Sequence, residues 1–130
     1  MENTKKTDKD MLRDHVLHIV NTIENGMTYA EAGREDLADQ YDNGDADAAD
    51  MMMTVFDYLD DILDIQYIVT GKREYLGARI LVTFGGPNIW INTQAQIVEG
   101  YWWGDAVSMA YSDDPMGIDE ACAELWEMGA

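Results

Sequence analysis

The sequence predicts an α+β fold in which N-terminal helices precede an antiparallel β-meander and a C-terminal helix. The first half has apolar residues at helical spacing, whereas the second half has short runs of β-branched and aromatic residues separated by turns. About three helices and three to four strands are therefore expected before the closing helix. The chain has 130 residues, which suits a single domain. We expect a helical acidic half at 7–64 and a sheet with the closing helix at 65–130.

The first predicted helix begins after a capping box at Thr7 and Asp10, in which each side chain bonds the other residue's backbone amide. Gly26 is placed to end this helix, because glycine adopts the left-handed conformation of a helix cap at little cost. Helical spacing relates the apolar residues between these ends: Leu12, Val16, Ile19, Val20 and Ile23.

Two more helices are predicted before the sheet. A short one follows a second capping box at Thr28 and Glu31, and another runs from about Asp47 to Asp64. The last of these has one apolar face: Met52, Val55, Phe56, Leu59, Ile62 and Leu63. The run Ile65–Thr70 is compatible with a continuation of that helix and equally with a first strand, and the sequence leaves this choice open.

The second half is predicted to form neighbouring antiparallel strands that end in a helix. Turn residues at 85–88 and 104–105 separate the strand-like runs. The closing helix begins at about Ile118 and ends at about Met128. The predicted strands are Ala78–Phe84, Ile89–Asn92, Gln96–Trp103 and Ala106–Tyr111.

A block of uncompensated negative charge occupies the middle of the chain. Between Glu31 and Asp64 there are twelve acidic residues, ten of them Asp, and Arg34 is the single basic residue. A solvated helix face would favour Glu alternating with Lys, so the block indicates a role other than folding. The whole chain has a net charge of -18. Such a surface repels nucleic acid and anionic membranes and attracts basic proteins.

Several function classes find no support in the sequence. The segment Asp42–Asp47 is similar to a calcium loop in composition, but neither Asp42 nor Asp45 as the first ligand puts oxygen ligands and Gly in EF-hand register. His15 and His18 have no further His or Cys ligand near them in sequence. No phosphate-binding loop, nucleophile elbow or dinucleotide fingerprint is present. We expect no metal, no cofactor and no enzymatic activity, with a carboxylate-based, metal-dependent enzyme as the least favoured alternative.

The sequence also bears on the compartment. The single cysteine excludes an intramolecular disulfide. The segment Met1–Asp10 is polar and lacks the apolar core of a signal peptide, and no apolar run approaches the length of a membrane span. We therefore expect a cytoplasmic protein without membrane contact.

Two glycine- and aromatic-rich strings stand out beyond the acidic block: Gly85–Trp90 and Tyr101–Asp105. Alternation along the predicted strand Gln96–Trp103 puts an aromatic ring on each of its faces. Trp102 and Trp103 are therefore candidates for a partner contact as well as for the core, and the sequence does not decide between these roles.

The spacing of the acidic residues fits phosphate mimicry. On a helix, carboxylates four residues apart lie about 6 Å apart, and those seven apart lie about 10 Å apart, which is the scale of phosphate spacing along a DNA strand. Asp50, Asp57, Asp61 and Asp64 would present such a row on the third predicted helix. The full set of candidate partner-binding residues is Glu35, Asp36, Asp39, Asp42, Asp45, Asp47, Asp50, Asp57, Asp60, Asp61 and Asp64.

In its short length, its net charge and its Asp-rich segment Glu31–Asp64, the chain resembles the small acidic DNA-mimic proteins of phages and mobile elements. Anti-CRISPR and antirestriction proteins are the main examples of this class. The strings Gly85–Trp90 and Tyr101–Asp105 also look like those of mobile-element proteins. Members of the class share no common fold, so the resemblance implies a function and no architecture.

The resemblance implies a stoichiometric inhibitor that occupies the basic channel of a CRISPR effector or a restriction enzyme in a bacterial host cell. The expected partner is a basic nucleic-acid-binding protein or complex, with no direct binding of nucleic acid. The alternative is an interaction or immunity module that binds one basic protein such as a toxin. The oligomeric state is left open, with a dimer among the options.

Overall fold

The computed structural model describes residues 7–42 and 50–129, and the side chains of residues 39–42 lie outside that description. Within these residues the chain forms one long helix and two short helical segments, then a sheet, then a last helix. α1 has 18 residues, whereas α2 and α3 have 8 and 6. The elements are α1 (Asp8–Asn25), α2 (Glu35–Asp42), α3 (Val55–Asp60), β1 (Asp64–Val69), β2 (Tyr75–Thr83), β3 (Asn88–Asn92), β4 (Ile97–Trp102), β5 (Asp105–Ala110) and α4 (Ile118–Glu127).

The predicted fold class is wrong in its helix and strand counts. Among the described residues one long N-terminal helix precedes a five-stranded antiparallel sheet and a C-terminal helix, where about three helices and three to four strands were expected. The largest error is the third helix. Of the segment predicted from Asp47 to Asp64, residues 47–49 lie outside the described part of the chain, Val55–Asp60 is α-helical, and Asp64 already belongs to β1.

Tertiary pairing explains why that helix is short. The backbone N–H of Met53 donates to the carbonyl of Met27 at 2.8 Å, and Tyr29 N–H donates to Met51 O at 3.2 Å. These amides and carbonyls pair with a distant segment and do not enter a helical ladder. Thr54 then caps α3, since its side chain accepts a hydrogen bond from Asp57 N–H at 3.3 Å.

The second predicted helix starts later than expected. Thr28 and Glu31 do form the reciprocal bonds of a capping box, with Glu31 N–H donating to Thr28 Oγ1 at 3.1 Å and Thr28 N–H donating to Glu31 Oε1 at 2.8 Å. They close a turn instead of opening a helix. Gly33 ends this turn at a φ of +71°, outside the helical region, so α2 begins at Glu35.

The run Ile65–Thr70, for which the sequence did not decide between helix and strand, contributes to the strand β1. β1 pairs antiparallel with β2, with Asp64 opposite Leu81 and Tyr67 opposite Ala78. The strands then follow one another across the sheet in chain order, each antiparallel to the last. β1 therefore forms one edge of the sheet, and the acidic segment leads directly into that edge.

Both predicted ends of α1 are confirmed. Thr7 and Asp10 form the capping box, and Gly26 ends the helix with its N–H donating to Thr22 O at 2.8 Å. The position of Gly26 is as predicted, but its φ of +74° and ψ of -175° are not those of the expected left-handed cap. α1 packs on β4 and β5. It packs so closely that a Cβ on Gly100 would lie 2.6 Å from Val16 Cγ2, so a larger residue at that position of β4 would force side chains of α1 to shift.

The main core joins α1, the sheet and α4. α4 packs on β2, and Asp119 in its first turn ties it to the sheet. The Tyr75 hydroxyl donates to Asp119 Oδ1 at 2.8 Å and the Thr93 hydroxyl donates to the same atom at 2.7 Å. Fully buried apolar members of this core include Leu12, Val16, Ile23, Ala78, Ile80, Ile89, Ile91, Val98, Ile118 and Cys122.

No helix within residues 7–42 and 50–129 has the length and apolarity required to cross a membrane.

Candidate functional site

Arg34 organises the acidic surface between α2 and α3. Its guanidinium binds Asp36 in a bidentate manner, with Nε to Oδ1 at 3.1 Å and Nη2 to Oδ2 at 3.1 Å, and its Nη1 donates to Asp61 Oδ1. Asp60 also lies close enough to interact with this guanidinium electrostatically. A bidentate arginine holds a carboxylate in a defined orientation. Arg34 therefore brings carboxylates from two separate elements into one fixed cluster.

Hydrogen bonds favour the ionised form of two carboxyls in this region, Asp36 and Glu31. The side chain of Arg34 holds the pKa of Asp36 below its ordinary value, chiefly through the hydrogen bonds between them. Backbone and side-chain hydrogen bonds from Thr28 likewise lower the pKa of Glu31. Both carboxyls are consequently ionised throughout the neutral pH range.

Asp57 has a structural contact. Its Oδ2 accepts a hydrogen bond from the Tyr29 hydroxyl at 2.6 Å, and the fully buried Tyr29 belongs to a small second core with Ala38 and Met53. Asp57 is half-buried at this contact. Removal of its carboxylate would therefore disturb the packing of α3 as well as the surface charge.

The remaining candidate carboxylates fall into two groups. Glu35, Asp50, Asp60 and Asp64 are exposed. Asp39 and Asp42 are residues of α2, but their side chains lie outside the described part of the chain. Asp45 and Asp47 lie entirely outside it. The continuous helical row at Asp50, Asp57, Asp61 and Asp64 does not form, because α3 ends at Asp60 and Asp64 lies on a strand.

A second surface, the aromatic cleft, lies where the β2–β3 and β4–β5 turns meet. Its volume is about 310 Å³. Phe84 is 72% exposed, Trp103 is 78% exposed and Tyr101 is 42% exposed, so most of this aromatic area faces solvent. The cleft is lined by Phe84, Gly85, Gly86, Asn88, Tyr101, Trp102 and Trp103.

Local hydrogen bonds hold the β2–β3 side of the aromatic cleft. The Thr83 hydroxyl donates to Pro87 O at 2.8 Å, and Gly85 N–H donates to the side-chain oxygen of Asn88 at 2.9 Å. Gly86 lies against the indole of Trp102, since a Cβ at Gly86 would be 3.4 Å from Trp102 Nε1. The loop is therefore held to its own strands and to the neighbouring hairpin.

The two candidate tryptophans have different environments. Trp102 is half-buried, packs against the main core and meets the ring of His15 edge-on at 6.5 Å. Trp103 projects into solvent from the turn that follows β4. Sequence reasoning did not select Phe84, because the strand pattern places it as the last residue of a strand. Its position directly before Gly85-Gly86 is the signal that could have placed it in a loop.

The described residues contain no group of three or more His, Cys, Asp or Glu side chains arranged to hold a metal ion. Cys122 is buried, and burial raises the pKa of its thiol to about 12. A thiol with such a pKa is almost entirely protonated near neutral pH and is a poor nucleophile. His15 and His18 are exposed on α1.

The acidic surface and the aromatic cleft are thus two features of the described residues that are accessible to a partner. The first presents exposed carboxylates and the second exposed aromatic rings, and folding alone requires neither. Searches of protein-family models, of curated proteins and of solved structures find no match to this chain.

Proposed function

We propose that this protein is a non-enzymatic DNA mimic that inhibits a basic nucleic-acid-binding defence complex, such as a CRISPR effector or a restriction enzyme. Its carboxylates would occupy the channel in which Lys and Arg normally bind phosphates. The proposed place of action is the cytoplasm of a bacterial host cell.

The arrangement around Arg34 is the observation that carries the proposal. One guanidinium faces the three carboxylates of Asp36, Asp60 and Asp61, which leaves a surplus of two negative charges at this spot. The salt bridges orient Asp36 and Asp61 without neutralising the cluster. A partner that brings Lys or Arg meets acceptors whose positions are already set, so little side-chain entropy is lost on binding.

Exposed carboxylates extend the negative surface beyond this cluster. Glu35 lies beside Asp36 at the start of α2, and Asp64 lies at the sheet edge just after α3. With a net charge of -18, the chain attracts a basic channel over a distance on the order of the Debye length, about 8 Å at physiological salt. Association should therefore be fast and should slow as salt is added.

The test measures how this protein displaces a fluorescent DNA duplex from a purified CRISPR effector–guide complex and from a restriction enzyme. Fluorescence anisotropy reports the DNA that stays bound. We expect the combined variant Glu35→Gln, Asp50→Asn, Asp60→Asn and Asp64→Asn to displace DNA at least about tenfold less well, because it removes exposed charge without touching the Tyr29–Asp57 contact. Displacement by the unaltered protein should also weaken as salt rises.

A matched control removes the same number of charges elsewhere on the molecule. Glu74, Glu120, Glu124 and Glu127 are exposed and lie outside the acidic segment, so their conversion to Gln should leave displacement nearly unchanged. Equal loss in both variants would mean that total charge, and not this surface, is responsible. Failure of the unaltered protein to displace DNA from either complex would contradict the DNA-mimic proposal.

The alternative is an interaction or immunity module that binds one basic protein, such as a toxin. The aromatic cleft is the observation that favours it, because exposed aromatic anchors are typical of specific protein contacts. The two functions differ in one readout. A module of this kind would bind its partner without competing with DNA.

A further inference from the structure

The aromatic cleft exposes more apolar surface than a turn region needs. Phe84 and Trp103 are among the most exposed large hydrophobic residues of the described chain, and both line the same cleft as Tyr101 and Trp102. Scattered exposed apolar residues are ordinary, but several exposed rings that line one cleft mark a contact site.

The backbone at Trp103 provides a second observation. β4 and β5 are joined by the two residues Trp103 and Gly104, since Trp102 pairs directly with Asp105. Their φ values are +52° and +84°, which is the pattern of a type I′ turn. Such a turn favours Asn at its first position, and a bulky side chain there is strained. Folding would be served better by Asn, so the indole at position 103 indicates a role in binding.

The negative charge of the chain favours a cationic ligand. The Tyr101 hydroxyl donates to Glu99 Oε2 at 3.0 Å, and Glu99 also pairs with Arg79 at 3.9 Å, so the carboxylate beside the rings already has one cation, whereas the whole chain carries -18. Aromatic faces are electron-rich and attract cations that lie above them. The same sheet already contains this contact, since the guanidinium carbon of Arg79 lies 4.3 Å from the ring centre of Trp90.

We propose that the aromatic cleft binds an arginine side chain of the partner protein. A planar guanidinium stacks on indole and phenyl faces, which a compact ammonium group does less well. Phe84 and Trp103 would supply the exposed faces and Trp102 the floor of the site. The inference rests on the proposed function for the source of the arginine, which is a basic protein, but the chemistry of the cleft does not depend on the acidic surface.

The test uses small probes, so it does not require the partner. N-acetyl-L-argininamide is titrated into the ¹⁵N-labelled protein at physiological salt, and the indole N–H signals of Trp102 and Trp103 are followed by NMR. We expect these two signals to shift and saturate. The neutral analogues N-acetyl-L-citrullinamide and N-acetyl-L-norleucinamide should bind at least about fivefold more weakly, because they lack the cation.

The key variant is Trp103→Asn. It removes the ring and installs the residue that a type I′ turn prefers, so the fold should be kept and the melting temperature should stay equal or rise, while argininamide affinity falls at least about fivefold. Trp90→Phe is the matched aromatic control, because Trp90 lies outside the cleft, and it should bind the probe like the unaltered protein.

Three results would overturn the inference. They are equal binding of the neutral analogues, absence of shifts at Trp102 and Trp103, and unchanged argininamide affinity in Trp103→Asn. The four-carboxylate variant described above should keep argininamide binding. If argininamide binds but DNA is never displaced, the DNA-mimic proposal fails and the arginine site stands. If DNA is displaced but argininamide does not bind, the arginine site fails and the DNA-mimic proposal stands.

Discussion

Tyr58 lies where the two hydrophobic clusters of the protein meet, because it packs against both the main core and the small core around Tyr29. Its hydroxyl is buried, and no group in the described part of the chain lies within hydrogen-bonding distance of it. Burial raises the pKa of this phenol to about 12. A buried polar atom without a partner lowers stability, since it has given up its bonds to water.

We predict that Tyr58→Phe increases the free energy of unfolding by about 1 kcal/mol, as measured by urea denaturation near neutral pH. The phenol is neutral in the fold up to about pH 12 but ionises near pH 10 once unfolded. The free energy of unfolding is therefore unaffected by this ionisation below about pH 10 and falls as pH rises from about 10 towards 12. Tyr58→Phe should lose less stability than the unaltered protein over that range. A clear decrease in stability at neutral pH would show that the hydroxyl has a partner.

At the scale of elements, α4 is attached to the sheet by a polar contact as well as by its apolar face. Asp119 Oδ1 accepts hydrogen bonds from the hydroxyls of Tyr75 on β2 and Thr93 after β3. The Thr93 oxygen also accepts the backbone N–H of Ala78 at 2.8 Å. One carboxylate therefore links the first turn of α4 to two segments of the sheet.

We predict that Asp119→Ala costs about 2 kcal/mol of stability, because it leaves the half-buried hydroxyl of Tyr75 and the buried hydroxyl of Thr93 without their charged acceptor. Glu120→Ala is the matched control. Glu120 lies in the same first turn and experiences a similar helix-dipole effect, but it is exposed. Thermal denaturation of both variants separates the stability that comes from the hydrogen bonds to Asp119 from the stability that comes from the helix dipole. Similar losses in the two would mean that the hydrogen bonds to Asp119 add little.

Elements differ in how well the sequence predicted them, for physical reasons. α1 begins and ends as expected because Thr7, Asp10 and Gly26 act locally. The segment 47–64 has an amphipathic pattern, but residues 51–53 pair with residues 27–29, and that long-range contact is invisible in a local pattern. The same holds for the run Ile65–Thr70, where pairing with β2 decides in favour of a strand.

At the scale of the whole molecule, charge opposes folding. A net charge of -18 on 130 residues makes the compact state repel itself. Among the cations, Arg34 and Arg79 are each engaged with carboxylates, Asp36 and Asp61 in the first case and Glu99 in the second. The repulsion is long-ranged, so ions in solution should relieve it.

We predict that the melting temperature rises by a few degrees, equivalent to about 1 kcal/mol, between about 20 mM and 500 mM NaCl. MgCl₂ and CaCl₂ at matched ionic strength should give a similar rise, because screening depends mainly on ionic strength. Stabilisation by a divalent cation that saturates at micromolar concentration would instead indicate a specific metal site. That result would contradict the expectation that the protein binds no metal.

The candidate site was predictable in composition and less so in geometry. The acidic segment was evident from residue counts, and its exposed members Glu35, Asp60 and Asp64 remain candidates for partner binding. The hydrogen bond between the Tyr29 hydroxyl and Asp57 was not evident, because these residues are 28 positions apart. Phe84 was missed because the strand pattern made it the last residue of a strand, and because the cleft that it lines forms only when two hairpin turns meet.

The sequence by itself determined the net charge, the ends of α1 and the existence of an aromatic-rich turn region, because each depends on composition or on residues within a few positions of one another. Tertiary structure decided the length of α3, the strand at Asp64–Val69, the orientation of Asp36 and Asp61 by Arg34, and the exposure of Trp103 beside the half-buried Trp102. These features depend on backbone pairing and side-chain contacts between distant segments. Such contacts compete with local preference and, where they satisfy more hydrogen bonds and bury more surface, they prevail.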